Sequence, residues 1–521
     1  MTEIRNAPNA LDRRDGCFWS LIGLSLLAAV AVHVFLFKSG LYAISADENG
    51  RTLLAHRVAT GGRVTVGNWL PFYTLVVGIA LKIYYNLFLV PRILSFLFGT
   101  LSLVSLIWFA HELFGRRDIT ILTGVLGALL PQRVILSLVP LSEIMFMFMI
   151  LAGCGFLVRW LNTRIKKLIL FAAFFFALSG AVRYEGWVFI ACFALWLFFY
   201  RRKRKEALPS TVVLPAFSLL LFFPVLWLAL HYFFSGNPVS FTERSLDSET
   251  LRGIKTTLST PYLFNNLLKA NVLFHFFSQN GATLNLIGLA PLVFLLQADE
   301  RVRSVTWLAG GSLLLMSVVW FCVLLMPGGT FRLPPSNSWR FAAVWSLLLV
   351  PFTAWAIGFL KQRLLLIHRA AGLLIFYPVL LLLLFLFAVQ IQHKRGESSF
   401  PASDRQAGEF LKDRIEKNPG LMILIENSDW SYLNILVASN YPDHFILNSG
   451  PNPRTPAPPV LTLSEGAPNE ALRRIHAGCF VFRDERAKDF LAAESQVALT
   501  GRFGPWSIFE RTCGQNEHPS R

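Results

Sequence analysis

Residues 69–88 read WLPFYTLVVGIALKIYYNLF, and the membrane topology of the whole chain turns on them. They are apolar and long enough to cross a bilayer as a helix. Taken as a span, they place the following HELFGRRD loop (111–118) and every later basic loop outside the cell. Taken as a segment lying along the outer surface, they reverse that outcome. Arg116 and Arg117, the run Arg159 to Lys167, Arg201 to Lys205, Arg301 and Arg303, and Lys361 to Arg369 then all face the cytoplasm. Short cytoplasmic loops carry the excess of Lys and Arg, so charge selects this second reading. Trp69, Tyr73, Tyr84 and Tyr85 also suit a membrane–water interface.

The rest of the chain has the same membrane character. It has 521 residues, 54% of them hydrophobic, and a mean hydropathy of +0.52. Apolar runs of about 18–25 residues, the length that crosses a bilayer, recur along it. Spans are expected near 18–37, 92–110, 119–131, 143–160, 167–182, 187–200, 211–232, 281–298, 304–326, 341–360 and 370–390. The net charge of +17 sits largely in topology-setting loops, and RRKRK (201–205) favours an anionic leaflet, so nucleic-acid binding is set aside. Arg13 and Arg14 precede a run from Cys17 to Phe37 that is too long for a signal-peptide core and reads as a retained anchor. No internal repeat is visible.

The expected fold is an all-α polytopic membrane protein of about 11 transmembrane helices with a small C-terminal extracytoplasmic α/β domain. Residues 1–17 form a cytoplasmic N-terminus and 18–390 the transmembrane domain. Within it, 38–91 is a first outer loop with juxtamembrane helices and 233–280 a large outer loop. Residues 391–521 form the exported domain. There, 403–420 reads as a capped helix, 421–426 as a buried strand, 429–439 as a helix, and 444–449 and 478–484 as strands. A Pro-rich connector covers 451–460, and a final strand is expected near 506–512. Cys154, Cys192 and Cys322 fall in spans, while Cys479 and Cys513 fall in the exported domain, where an oxidising compartment allows them to pair.

Ionisable residues gather on the outer face that this topology defines. Asp47 and Glu48 follow the first span, and a helix over 47–58 puts Asp47 and Arg51 on one face. Glu143 opens a span after Ser142, and Arg183 and Glu185 lie in the RYEG turn between two apolar helices. Each group has a plainer explanation, as a helix cap or a local ion pair. Their convergence on one face points further, because ionisable residues at membrane borders mark functional sites. A carboxylate serves as general base, and arginines bind phosphate with forked donors. Together they suit group transfer from a lipid phosphate. The adjacent acids leave Mg²⁺ or Mn²⁺ open as a weakly held cofactor, but hard cations want more oxygen ligands than the sequence supplies.

The run SADENGRTLLA, the W-LPFY of 69–73, PRILSFLFGTLSLVSLIWFAHELFGRR (91–117), LSLVPLSEIMFMFMILAG (136–153), RYEGW (183–187) and GNP (236–238) resemble the GT-C superfamily of membrane glycosyltransferases. The protein-mannosyltransferase-like and aminoarabinose-transferase-like branch is the nearest in pattern. The resemblance covers residues 18–240 well, and beyond them only the general plan. It implies a polyprenyl-phosphate sugar donor, inversion, and a lipid, glycan or protein acceptor on the non-cytoplasmic side of a bacterial cell membrane. It also implies Asp47 as general base, with Glu48 as a second acid. Arg51, Arg92, Arg183 and Arg340 would contact the donor phosphate, and Glu143, Tyr184 and Glu185 would orient substrate. Arg332 and Arg340 suit either the donor phosphate or lipid headgroups. Where the aminoarabinose branch has Lys-Pro-Pro, this chain reads NWLP, so that branch's substrate is not carried over. His33 reads as a packed residue of the first span, and His275 and Asn280 as candidates to line an acceptor groove. The alternative is a transporter or flippase of a lipid-linked sugar. It predicts charge at span centres, whereas the spans here carry charge at their ends.

Overall fold

The computed structural model describes residues 16–62, 69–204, 208–236, 287–289, 299–325, 339–367, 369–396, 398–448, 477–483, 491 and 497–511. The chain divides into two compact units. The first comprises Met1–Ser39, Val64–Val76 and Arg92–Gly396, and the second Gly40–Arg63, Val77–Pro91 and Glu397–Arg521. The first outer loop therefore falls mainly with the C-terminal residues, which differs from the boundary drawn on sequence at 391. The reason is polar pairing across the chain, described below for Asn49 and His56.

The first unit is helical. Its elements are α1 (Gly16–Lys38), α4 (Leu89–Phe114), α5 (Arg117–Leu129), α6 (Pro131–Leu136), α7 (Ser142–Thr163), α8 (Lys166–Val182) and α9 (Glu185–Lys203). They continue as α10 (Ser210–Ser235), α11 (Glu300–Leu325), α12 (Trp339–Ile367) and α13 (Arg369–Gly396). Among the described residues, six helices are long and apolar enough to cross a membrane: α1, α4, α7, α10, α11 and α12. The protein is an integral membrane protein. The helix expected at 281–298 lies outside the described residues except for 287–289.

Side-chain pairs give this unit two distinct ends. Glu112, in the last turn of α4, pairs with Arg159 of α7 at 3.0 Å. Glu300 pairs with Arg164 at 3.1 Å and Arg204 at 3.6 Å, so the loops after α7 and α9 and the start of α11 share one basic end. Phe18, at the start of α1, lies 6.3 Å from His111 ring to ring, and Arg117 stands over it at 5.8 Å. Helix α1 thus leaves the basic end and α4 returns to it. The stretch between them starts and finishes at the opposite end. Within that stretch, α3 (Pro71–Ile83) has only 13 residues, about 20 Å of helix.

The second unit contains α2 (Asp47–Ala59), the second half of α3, α14 (Ala402–Lys417), α15 (Tyr432–Ser439) and five strands. The strands are β1 (Ile423–Ile425), β2 (Phe445–Leu447), β3 (Cys479–Phe482), β4 (Val497–Phe503) and β5 (Trp506–Arg511). Their order is β2-β1-β3-β5-β4. Strand β1 runs parallel to β2 and β3, while β5 pairs antiparallel with β3 and β4. The central strands ILI and CFVF are apolar throughout and buried throughout, as strands covered on both faces must be. Their period of two divides the core. Ile423, Ile425, Cys479 and Val481 face Ala407, Leu411 and Ile415 of α14 and Ile435 of α15. Leu424, Phe480, Phe482 and Phe509 fill the other side. Helices α14 and α15 approach so closely that a Cβ on Gly408 would meet Ile435 O at 2.9 Å. Cys479 is a buried free thiol, and Cys513 lies outside the described residues.

Candidate active site

Four of the expected residues meet in the first unit, at the end opposite the basic loops. Glu143 sits in the first turn of α7 and Glu185 in the first turn of α9. Helix N-termini favour carboxylates there. Both acids converge on Arg183, the residue that ends α8 in extended conformation. Arg183 Nη1 lies 2.8 Å from Glu143 Oε1, and Nη2 lies 2.5 Å from Glu185 Oε1. Arg183 also donates to Ser142 Oγ at 3.3 Å. Arg340, in the first turn of α12, brings its Nε to 3.5 Å from the same Glu143 oxygen. Glu143, Arg183 and Glu185 are buried, and Arg340 is half-buried. Burial alone would lower the pKa of Arg183, but Glu143 and Glu185 outweigh it and the net shift is upward. The guanidinium stays charged.

The turn that presents this group is tight. Gly186 N bonds Arg183 O at 3.0 Å, and Trp187 Nε1 bonds Gly180 O at 2.9 Å. A Cβ on Gly186 would meet the carbonyl carbon and oxygen of Ser179 at 2.5 Å, so only glycine lets α9 start against the end of α8. Tyr184 turns its hydroxyl to Trp227 Nε1, from which it accepts at 3.2 Å. Burial pushes the Tyr184 phenol up to about 12. Arg92 is buried in the first turn of α4.

Sequence reasoning missed Arg133. The stretch from Leu130 to Met147, which takes in the outer turn expected at 132–143, is buried at every position. Arg133 donates to Gly127 O at 2.5 Å, Ala128 O at 2.8 Å and Gly99 O at 3.0 Å. Two of these carbonyls belong to the last turn of α5, where cations are favoured. An arginine four residues beyond a helix end was the available signal.

Asp47, Glu48 and Arg51 belong to the second unit, on α2. Asp47 and Arg51 fall one turn apart on that helix. Asp47 is half-buried and Arg51 buried. Glu48 is fully buried, and its two oxygens hold the preceding turn. Oε1 accepts from Ile44 N at 2.9 Å and Ser45 N at 3.1 Å, while Oε2 accepts from Ser45 Oγ at 2.5 Å. Ser45-x-x-Glu48 is a capping-box spacing, a signal the sequence reading passed over. With Glu48 engaged in this way, the adjacent acids do not form an oxygen cage for a hard cation. Among the described residues, no three His, Cys, Asp or Glu side chains group to hold a metal. His33 is buried in α1 against Phe96, while His275, Asn280 and Arg332 lie outside the described residues.

No protein-family model and no curated protein sequence matches this chain. Solved structures do. ArnT from Cupriavidus metallidurans in the apo state superposes with a TM-score of 0.58 at 11% identity, over 94% of this chain and 97% of that one. The same enzyme bound to undecaprenyl phosphate gives the same values. The oligosaccharyltransferase of Archaeoglobus fulgidus, tethered to an acceptor peptide, gives 0.55 at 13% identity over 92% and 71%. This chain has the fold of ArnT and of the Archaeoglobus oligosaccharyltransferase.

Proposed function

We propose that this protein is an integral-membrane glycosyltransferase that moves a sugar from a polyprenyl-phosphate donor to an acceptor on the non-cytoplasmic face, with inversion. The observation that carries the reading is a GT-C fold spanning nearly all of this chain and of ArnT, one of whose structures holds undecaprenyl phosphate. The N-terminus faces the cytoplasm of a bacterial cell and the C-terminal unit lies outside. Asp47 takes the proton from an acceptor hydroxyl or amine. That atom bonds to the anomeric carbon as the bond from carbon to phosphate oxygen breaks, and polyprenyl phosphate departs. Arginines stabilise the charge growing on the phosphate. Arg183 and Arg340 are already balanced by Glu143 and Glu185, which suits that set to orienting sugar hydroxyls. Arg51, on α2, and Arg92, on α4, contact the donor phosphate. Glu48 acts by fixing the turn before Asp47. The acceptor is a lipid, a glycan or a protein.

The test offers membranes a panel of radiolabelled polyprenyl-phosphate sugars and follows loss of label from the lipid, comparing wild type with Asp47→Asn. Turnover of one donor by wild type and not by a normally inserted variant supports the assignment. Equal activity moves the base elsewhere. Intact donor carried across the bilayer would favour a flippase.

A further inference from the structure

The C-terminal residues of the second unit have no role in the mechanism above, yet their side chains hold the helix that carries Asp47. Helix α2 buries Glu48, Asn49, Arg51, Thr52 and His56, so its burial is largely polar. Asn49 lies two residues beyond Asp47, about 200° around the helix, and grips it from the side away from the acid. Asn49 Nδ2 donates to Asn434 Oδ1 at 2.6 Å. Asn434 Nδ2 in turn donates to Asp404 Oδ2 at 2.7 Å and Ser399 O at 3.0 Å. Asp404 Oδ1 accepts from Trp506 Nε1 at 2.8 Å. Asn49, Asn434, Asp404 and Trp506 are all buried. Asn434 interrupts an otherwise apolar helix, YLNILVAS, packed on the sheet, where a leucine would serve the core as well.

We propose that Asn434 is a positioning residue for the general base: its bond to Asn49 fixes the rotation and height of α2, and with them the carboxylate of Asp47. The inference rests on the base assignment under Proposed function. A buried directional bond specifies one arrangement where apolar contact tolerates several. A catalytic group displaced by about 1 Å loses about 100-fold in rate.

The experiment uses the full chain in lipid nanodiscs with undecaprenyl-phosphate-linked hexoses and pentoses as donors. Asn434→Ala and Asn49→Ala are each expected to lower kcat by about 10- to 100-fold with the donor KM within about 2-fold. The double variant should be no slower than Asn434→Ala, because the Asn49–Asn434 bond is already lost there. Trp506→Phe removes a bond internal to the C-terminal unit and should lower Tm without that loss of kcat. If Asn434→Ala does not fold, Asn49→Ala decides, since it leaves the Asn434–Asp404–Trp506 bonds intact. Unchanged kcat in the Asn variants, beside an inactive Asp47→Asn, overturns the positioning role and keeps the base. A kcat that tracks Tm across all variants, Trp506→Phe included, reduces the role to stability and also overturns it. An active Asp47→Asn, or a wild type that consumes no donor, removes the base assignment and this inference together.

Discussion

Arg183 and Glu143 form an ion pair of 2.8 Å with both side chains buried. Among the described residues, Glu185 and Arg340 join them. Removing one member of such a set leaves a buried charge uncompensated, at a cost of about 3–5 kcal/mol. Glu143→Ala should therefore lower Tm markedly and abolish turnover. Glu143→Gln, which keeps the shape, should retain the fold and lose activity. A thermal melt beside a donor-consumption assay separates the two effects. Activity retained by Glu143→Gln would remove the acid from the mechanism.

Glu48 clasps the backbone of residues 44–45. Glu48→Ala removes an acceptor of the buried Ile44 N–H, at a cost of about 1–3 kcal/mol, and one of the part-buried Ser45 N–H. The expected result is faster amide exchange at Ile44 and Ser45 and a lower kcat through Asp47. Glu48→Gln keeps one acceptor oxygen and should recover part of both.

Gly186→Ala places a methyl against the Ser179 carbonyl at 2.5 Å. The backbone of α8 cannot yield cheaply, so overpacking should cost about 1–3 kcal/mol. Because the strain falls at the Arg183 turn, activity should fall with stability. A melt and a rate measured on the same preparation check this.

Asp404 and Asp429 respond to pH in opposite directions. Burial holds the Asp404 carboxyl above its ordinary value, against hydrogen bonds from Asn434 and Trp506 and the Arg483 charge. For Asp429, burial also pushes upward, but Ser431 and Arg483 outweigh it and the net shift is downward. The folded state thus holds the Asp404 proton more tightly than the unfolded chain does. Its stabilising contribution is full at low pH and is lost as pH rises through the folded pKa. The Asp429 contribution is present above the unfolded pKa and lost as pH falls. Above about pH 4 the Tm difference should move in favour of Asp404→Asn as pH rises, and below about pH 4 it should move in favour of Asp429→Asn as pH falls. Differential scanning fluorimetry of the two variants tests both signs.

Much of this arrangement was legible because its signals are local. The expected helix at 143–160 appears as Ser142–Thr163, and the buried strand expected in 421–426 as Ile423–Ile425. The RYEG turn showed its acid, arginine and glycine together, and their meeting with Glu143 followed from topology. Strand β4 was not anticipated, since VALTGRF carries a glycine at a bulge and its burial does not alternate, with Ala498, Leu499 and Arg502 exposed. Arg133 escaped notice because its partners are main-chain carbonyls, which no side-chain pattern displays. The Asn49–Asn434 bond joins residues 385 apart, and nothing near either one announces the other.

That separation bears on how the protein is made. Helix α2 is synthesised early, but Asn434, Asp443 and the strands beneath them leave the ribosome last. His56 waits likewise: its Nε2 lies 3.0 Å from Asp443, and Tyr85 OH lies 2.7 Å from its Nδ1. Until the tail arrives, a helix whose buried face is polar has no lasting partner, and every membrane helix must be threaded while it remains so. A chain that stops before residue 397 therefore lacks the partners of Asn49 and His56.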